Sequence, residues 1–194
     1  TEFSENKAIL TAVTDENGVF VFNNIPYGEY LIKEIKPADG YLDNEDVFTV
    51  TIKDNEQVVE ITAINDKVPE LKTMATVNDK KEAVAKGEIT IKDTVEYKHL
   101  VPNTEYVIKG TLMDKSTGKP FKVKGKEITS TVKFVPDKAN GKVEVTFTFD
   151  GSAIKKDTDL VVFETLYRDG VELTTHADIN DDGQTVTIKP YIPH

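Results

Sequence analysis

The sequence contains no cysteine, so neither disulfide bonds nor thiolate metal ligands are available to it. Its three histidines, His99, His176 and His194, are too few for a typical zinc site, which needs several nitrogen or sulfur ligands. We therefore expect no cofactor and no metal. If the chain needs covalent reinforcement, the bonds must come from side chains other than cysteine.

Long apolar runs and excess positive charge are also missing. No apolar stretch approaches the roughly 20 residues that a membrane-spanning helix needs. The formal net charge of −10 at pH 7 argues against nucleic acid and anionic membranes as partners. The mean hydropathy of −0.38 is typical of a soluble, β-rich protein with modest cores. No signal peptide opens the chain and no sorting signal closes it, as we expect of a fragment of a longer protein.

Residues 1–67 are predicted to form a small all-β domain, because short alternating stretches are separated by turn sequences. One turn is predicted at Asp15-Glu16-Asn17-Gly18 and another around Asp54-Asn55-Glu56. The predicted strands are Ala8–Thr14, Val19–Phe22, Glu29–Ile35, Val47–Ile52 and Gln57–Ile64.

Two polar residues of this domain are placed by alternation on apolar strand faces. Glu34 shares a face with Tyr30 and Ile32, and Asn65 follows Ile61 and Ala63 at a period of two. Either residue can also be interpreted as a strand-end residue that turns into solvent.

A resemblance to a known family rests on the stretch TDENGVFVFNNIPYGEYLIKEIKPADGYL, followed by VVEITAIN. These segments resemble the collagen-adhesin B-type (SpaA-like) domain of Gram-positive surface proteins, which implies a prealbumin-like β-sandwich. In that family a lysine on the first strand forms an isopeptide bond to a closing asparagine, catalysed by a glutamate. Glu34 and Asn65 match the last two roles. The family's lysine would precede Thr1 and Lys7 falls too late, so the resemblance predicts a half-site without its lysine.

Asp66–Glu70 is a short charged linker containing Pro69, and it predicts a domain boundary. The second domain, residues 68–194, contains many short strands separated by turn sequences, which is typical of an immunoglobulin-like sandwich. Its predicted strands are Leu71–Val77, Gly87–Val95, Glu105–Met113, Glu127–Phe134, Lys142–Phe149, Asp159–Tyr167, Val171–Ala177 and Gln184–Lys189.

Polar residues on apolar faces recur in this second domain. In the stretch LVVFETLY, Glu164 shares a face with Leu160, Val162 and Leu166. Thr73, Asp93 and Gln184 stand in the same way on the apolar faces of their own strands, and His176 ends a strand near Gln184. Each residue alone could reach solvent at an edge. Together they indicate a buried cluster whose members satisfy one another, because unpaired polar groups in a core are costly.

Such a cluster permits one specific reaction. A threonine hydroxyl becomes a nucleophile when a base takes its proton. Two neighbouring carboxyl groups cannot both ionise, so one keeps a proton and can polarise a carboxamide. Attack of the Thr73 hydroxyl on the Gln184 side chain, with loss of ammonia, would give an intramolecular ester.

The second domain also resembles a known family, through motifs that agree in order and spacing along its length. The segments LKTMAT, IKDTVEY, LVPNTEYVIKGTLMDK, VEVTFTFD, LVVFETLY and HADINDDGQTV are similar to the VaFE-type Thr–Gln ester-bond repeat of Gram-positive adhesin stalks. The resemblance implies Thr73 as nucleophile, Gln184 as acceptor, Glu164 and Asp93 as the paired acids, and His176 as an assisting residue. The chain departs from the motif at Val161-Val162, where the family has Val-Ala.

The loop Asp178–Gly183 mimics the start of a calcium-binding EF-hand loop. Its twelfth position would be Lys189 in place of a bidentate glutamate, and no flanking helices are predicted. We interpret the loop as a polar turn, with calcium binding as the alternative.

Together these patterns predict a structural stalk segment of a cell-wall-anchored adhesin on the bacterial surface. Self-crosslinking would be a single turnover, so the chain is not expected to be an enzyme. The expected partners are neighbouring repeats, peptidoglycan through a sorting signal outside this segment, and a host ligand bound by a distal domain; the chain is expected to be monomeric. The alternatives are a module that binds host matrix or glycan, and a hydrolase using Thr73, His176 and a carboxylate.

Overall fold

The computed structural model describes residues 2–193, which divide after Asp66 into two compact units. Regular structure in the described residues consists of β-strands and three single-turn 3-10 segments, Glu5–Lys7, Gly151–Ala153 and Asp182–Gln184. The prediction of an all-β fold is confirmed. Within residues 2–193, no helix has the length and apolar character needed to cross a membrane.

The first unit contains an antiparallel pair of strands, β1 (Gly28–Lys33) and β2 (Val47–Ile52). Tyr30 lies opposite Val50 in this pair, and Val50 is buried. The other described residues of the unit, 2–27, 34–46 and 53–66, form no further extended strands. Both observed strands match predicted ones to within two residues at each end.

Three other predicted strands of the first unit are wrong: Ala8–Thr14, Val19–Phe22 and Gln57–Ile64 have no strand structure. Alternation predicts which way side chains would point, but a strand exists only where a neighbour supplies backbone hydrogen bonds. Their apolar residues are correspondingly exposed, with Val13 92% and Val58 82% accessible. The predicted turn is present, since Asp15 accepts a hydrogen bond from the backbone of Gly18.

The second unit is built from two antiparallel-dominated sheets and two very short strands that pair with each other. One sheet has the order β11-β5-β3; the other has the order β10-β6-β12-β14-β4, with β13 beside β12 and β7 beside β6. The strands are β3 (Glu70–Val77), β4 (Glu82–Ala85), β5 (Glu88–Lys98), β6 (Tyr106–Asp114), β7 (Lys119–Pro120), β8 (Lys122–Val123), β9 (Lys126–Glu127), β10 (Thr129–Phe134), β11 (Gly141–Asp150), β12 (Thr158–Arg168), β13 (Val171–His176) and β14 (Thr185–Pro190).

The hydrophobic core of this unit is continuous and draws on strands of both sheets. Its largest fully buried side chains include Tyr106, Phe147 and Leu112. Strand β12 has β6 on one side and β13 and β14 on the other, so it is a central strand, as its two apolar faces predict. This places Glu164 on a central strand, with β6 on one side of it and β13 on the other.

Strand β4 is a departure from the prediction, because no strand was assigned between β3 and β5. Asn78 and Asp79 both have positive φ, 51° and 59°, as a type I′ turn requires. Val77 and Lys80 exchange backbone hydrogen bonds of 2.8 and 3.0 Å across this turn. The chain then leaves the first sheet, and β4 pairs in parallel with β14 in the second.

Candidate functional site

Four polar or charged residues are buried in the described part of the chain, and they are the four that alternation placed on the apolar strand faces of the second domain. Thr73 is 4% exposed, Asp93 0%, Glu164 1% and Gln184 0%. Thr73 and Asp93 belong to β3 and β5 of the first sheet, and Glu164 belongs to β12 of the second. Gln184 is the last residue of the 3-10 turn before β14. The sequence predicted Gln184 as the first residue of this strand, whereas the observed strand begins one residue later, at Thr185.

The carboxyl groups of Asp93 and Glu164 are both buried, and each affects the pKa of the other. Burial, together with the nearby Asp93 carboxyl group, raises the pKa of Glu164 to about 10. Burial also raises the pKa of Asp93, although the approach of Glu164 and the charges of His176 and Lys81 oppose that shift. The pair therefore holds one proton at neutral pH, and Glu164 is the group that retains it.

An apolar wall contributes to this desolvation. Glu164 lies opposite Gly110 of β6 in the sheet register. A Cβ atom built on Gly110 would come within 2.5 Å of the Phe147 ring, so only glycine lets this ring pack against the backbone there. The ring and the buried strand faces around it keep water away from the acid pair.

Six buried side-chain atoms of the site have no hydrogen-bond partner of acceptable geometry among the described residues. They are Thr73 Oγ1, both carboxyl oxygens of Asp93, both of Glu164, and Gln184 Oε1. The two carboxyl groups thus approach each other closely without a well-formed hydrogen bond. An unsatisfied buried polar atom costs about 1–3 kcal/mol, and such concentrations of strain are typical of functional sites.

The Gln184 carboxamide is held by its nitrogen. Nε2 donates hydrogen bonds of 2.6 Å to the carbonyl oxygen of Val162 and 3.2 Å to that of His176. Because both partners are acceptors, this orientation of the amide is fixed by its surroundings. The amide oxygen is consequently the free end, open to a donor.

His176 lies opposite Glu164 in the β12–β13 register, and its ring contacts Asp181. The distance from His176 Nε2 to Asp181 Oδ2 is 2.9 Å. Burial would raise the pKa of Asp181, but hydrogen bonds from His176, Gly183 and Gln184 outweigh it and lower the pKa. Asp181 is therefore ionised and accepts the hydrogen bond from the His176 ring.

The turn that carries Gln184 approaches β3 closely at Gly183. A Cβ atom added there would lie 3.3 Å from the carbonyl oxygen of Thr73 and 2.9 Å from Asp181 Oδ1. A glycine at this position lets the backbone next to the carboxamide come close to the backbone of the threonine.

Lys81 and Asp181 are site residues that alternation did not identify. Lys81 Nζ donates hydrogen bonds to the carbonyl oxygens of Ala75 (2.7 Å) and Gly183 (2.9 Å). Both residues lie in turns, where a period of two carries no information about direction. The Asn78-Asp79 pair predicts a tight turn, but it does not predict what Lys81 reaches.

In the first unit, the structure brings Glu34 and Asn65 together. Asn65 Nδ2 donates hydrogen bonds of 2.6 Å to Glu34 Oε2 and 3.2 Å to the carbonyl oxygen of Leu42. Both residues are partly buried, so neither turns fully into solvent as the alternative interpretation would require. Glu34 also lines a cleft of about 270 Å³ with Phe3 and other residues of this unit.

Within residues 2–193, no group of three or more histidine, aspartate or glutamate side chains is arranged to hold a metal ion. In the loop Asp178–Gly183, Asp178 and Asp181 accept hydrogen bonds from the backbone of Asn180 and Gly183. These contacts are those of a polar turn.

The raised pKa of Glu164 predicts how stability depends on pH. In a Thr73→Ala variant, which keeps the acid pair but lacks the hydroxyl, stability should fall as the pH rises from about 5 towards 10. The folded state retains a proton on Glu164 that the unfolded chain releases above its ordinary pKa of 4.5, so raising the pH favours unfolding. Urea unfolding at a series of pH values measures this slope.

The matched control is the same variant with Glu164→Gln added, because a carboxamide cannot titrate. The stability of this double variant should change less over the same pH range. The contributions of the other titratable groups are common to both variants and cancel when their slopes are compared. Equal slopes in the two variants would contradict a protonated Glu164.

The fold and the site together define a class of protein: a β-sandwich in which a hydroxyl, a carboxamide and a carboxyl pair are sealed between two sheets. The chain belongs to the family of T-Q ester bond containing domains, whose model matches residues 69–188. The SpaA model, described as a prealbumin-like fold domain, matches residues 2–67. Both family assignments made from the sequence motifs are confirmed.

Solved structures similar to the chain include two crystal forms of a bacterial adhesin from Mobiluncus mulieris, described as containing intramolecular disulfide, isopeptide and ester bond cross-links. They are 22% and 21% identical to the chain over 64% of its length, each with a TM-score of 0.55. The chain spans 58% of the length of those adhesin chains. At this identity the likeness shows the shared fold. Comparison with curated protein sequences finds no match.

Proposed function

We propose that the second domain, residues 68–194, forms an intramolecular ester bond between Thr73 Oγ1 and the side-chain carbonyl carbon of Gln184, releasing ammonia. The observation that carries this proposal is the burial of the hydroxyl, the carboxamide and the two carboxyl groups that the reaction needs, with six of their polar atoms lacking a hydrogen-bond partner among the described residues. An inert core would either pair these atoms or replace them with apolar side chains. Membership of the T-Q family supports the same reaction.

The acid pair divides the proton transfers between its members. Asp93 is the carboxyl group influenced by the Thr73 hydroxyl, so it accepts the hydroxyl proton as Oγ1 attacks. Glu164 keeps its proton and donates to Gln184 Oε1, where negative charge develops. The tetrahedral intermediate then collapses: the C–N bond breaks, the departing amide nitrogen takes up the proton from Thr73, and ammonia leaves.

His176 and Asp181 help to hold the Gln184 side chain, the acceptor of the reaction, in place. The His176 carbonyl and the Val162 carbonyl hold the nitrogen that leaves, which points the carboxamide oxygen away from them. The ionised Asp181 holds the His176 ring in place, and the charge of His176 favours the ionised form of Asp93. The reaction consumes its own residues and runs once, so the domain is not an enzyme.

The bond would join the start of β3 to the start of β14, the first and last strands of the domain. Tension applied at the two ends would then pass through a covalent link and bypass the hydrogen-bonded sheets. This suits a load-bearing stalk that has no disulfides. We place the chain in the stalk of a surface adhesin of a Gram-positive bacterium, anchored to the cell wall elsewhere in the protein, with neighbouring repeats as its first partners.

Intact mass under denaturing conditions tests the ester directly. The wild-type chain should be lighter than its sequence by one ammonia, and Thr73→Ala should show its full calculated mass. Mild alkaline hydrolysis should add one water to the wild-type chain. A deficit that resists alkali would indicate an amide link in place of the ester, and a full wild-type mass would end the proposal.

A further inference from the structure

Lys81 bridges the two segments that carry the reacting side chains. Its ammonium group contacts the carbonyl oxygen of Ala75, two residues after Thr73, at 2.7 Å. The same group contacts the carbonyl oxygen of Gly183, immediately before Gln184, at 2.9 Å. These are charge-assisted hydrogen bonds, which are stronger than bonds between neutral groups.

Both acceptors lie where the sheets offer them few partners. Strand β3 is at the edge of its sheet, so the carbonyl groups on its outer side need partners from outside the sheet. Gly183 lies in a 3-10 turn of three residues, which is too short to pair its own last carbonyl groups. Lys81 Nζ donates a hydrogen bond to the carbonyl oxygen of Ala75 and another to that of Gly183, so one nitrogen atom links the two segments.

The main chain of Lys81 is itself anchored to the last strand. Its carbonyl oxygen accepts a 2.8 Å hydrogen bond from the backbone of Thr187 in β14. The tight turn at Asn78-Asp79 reverses the chain immediately before this point. The backbone of Lys81 therefore follows β14 while its side chain reaches β3 on the other sheet.

We propose that Lys81 is a positioning residue for the Thr73–Gln184 reaction, clamping the strand that carries the hydroxyl to the turn that carries the carboxamide. This inference rests on the proposed ester bond. Small displacements of reacting groups slow reactions of this kind strongly, since attack requires contact distances near 3 Å. The clamp keeps both segments in register before the bond exists.

The charge of Lys81 adds a second effect. The acidic groups that face it are Asp93 on β5 and Asp181 and Asp182 in the turn before Gln184. Its positive charge favours the ionised form of Asp93 and so opposes the rise that burial causes in the pKa of that carboxyl group. The shared proton of the acid pair is thereby directed to Glu164, while Asp93 remains free to accept the proton of Thr73.

Refolding kinetics of the full chain test this role. Protein purified in denaturant is diluted into native buffer between pH 4 and 9, and the loss of ammonia is followed by intact mass. Lys81→Met should slow ester formation by about 10–100-fold. It should also move the acid limb of the pH–rate profile to higher pH, because Asp93 then ionises less readily.

Two further variants separate the clamp from a general effect on folding. Lys81→Arg keeps the charge and can still donate to both carbonyls, so it should retain the position of the acid limb. Lys80→Met removes the neighbouring lysine of the same turn and should react like the wild type.

The possible results distinguish the role of Lys81 from the existence of the Thr73–Gln184 ester bond. If the wild type never loses ammonia, the ester itself is wrong. If the wild type reacts and Lys81→Met reacts equally fast, Lys81 has no positioning role. If Lys81→Met slows the reaction but leaves the acid limb of the pH–rate profile at its wild-type position, the charge of Lys81 does not act on Asp93, and that part of the inference is wrong.

Discussion

Glu164→Gln is expected to leave Thr73 and Gln184 unlinked on the timescale in which the wild-type chain completes its reaction. The substitution preserves size and shape but removes the acidic proton that would stabilise charge on the Gln184 oxygen. Loss of a general acid typically costs about 10²–10⁴ in rate. It also leaves Asp93 without the partner that shares its proton. A time course of intact mass after refolding measures the effect.

The matched control for this prediction is Glu172→Gln, the same chemical change at an exposed position of β13. That variant should lose ammonia at the wild-type rate. Glu164→Gln should still give a cooperative unfolding transition, since the new side chain fits the same space. If it forms the ester as fast as the wild type, the proton of Glu164 takes no part in the reaction.

Thr73→Ala should lower the stability of the second domain more than any other single removal of a small polar group. The proposed ester would close a loop of 112 residues, from Thr73 through Gln184. By analogy with disulfides, closing such a loop contributes up to about 4–5 kcal/mol. For a domain of this size, its loss corresponds to roughly 10–20 °C in melting temperature. Calorimetry on wild type and variant measures the difference.

Thr76→Ala provides the control for the loss of a hydroxyl from the same strand. The Thr76 side chain points to the opposite face, where it makes a long hydrogen bond of 3.4 Å to the backbone of Lys92. We expect a small change in melting temperature from this variant. If Thr73→Ala is no more destabilising than Thr76→Ala, the loop is not covalently closed.

Single-molecule pulling gives an independent test of the same variant. With the ester in place, the residues enclosed by the bond cannot extend under force. In Thr73→Ala they can, which adds a length of at most roughly 400 Å when the domain unfolds. Equal extension of the two proteins would rule out a load-bearing link.

Much of the candidate site could be predicted from the sequence, because it lies on regular strands. Alternation fixes the face on which Thr73, Asp93 and Glu164 stand, and their apolar neighbours identify that face as the buried one. Gln184 is a partial exception: it precedes its strand by one residue, but the turn keeps its side chain on the same side. Family motifs then supplied roles for these residues that burial alone does not give.

Alternation was a poorer predictor of strands in segments that have no partner strand in the folded chain. The exposed side chains of Val13 and Val58 show that an alternating pattern in the first unit does not by itself form a sheet. Strand pairing depends on segments distant in sequence, and the pattern of one segment contains no information about its neighbour. The parallel pairing of β4 with β14 was missed for the same reason.

An all-β fold, two domains of known families and four polar side chains that face a core can all be predicted from the amino-acid sequence. Which of these side chains meet depends on the folded chain, because Asp93 and Glu164 come from opposite sheets and approach only when the sandwich closes. The folded chain also decides that Glu164 keeps the proton, since burial sets the pKa. The Lys81 clamp depends on two carbonyl groups 108 residues apart in sequence, and only the folded chain brings them to one ammonium group.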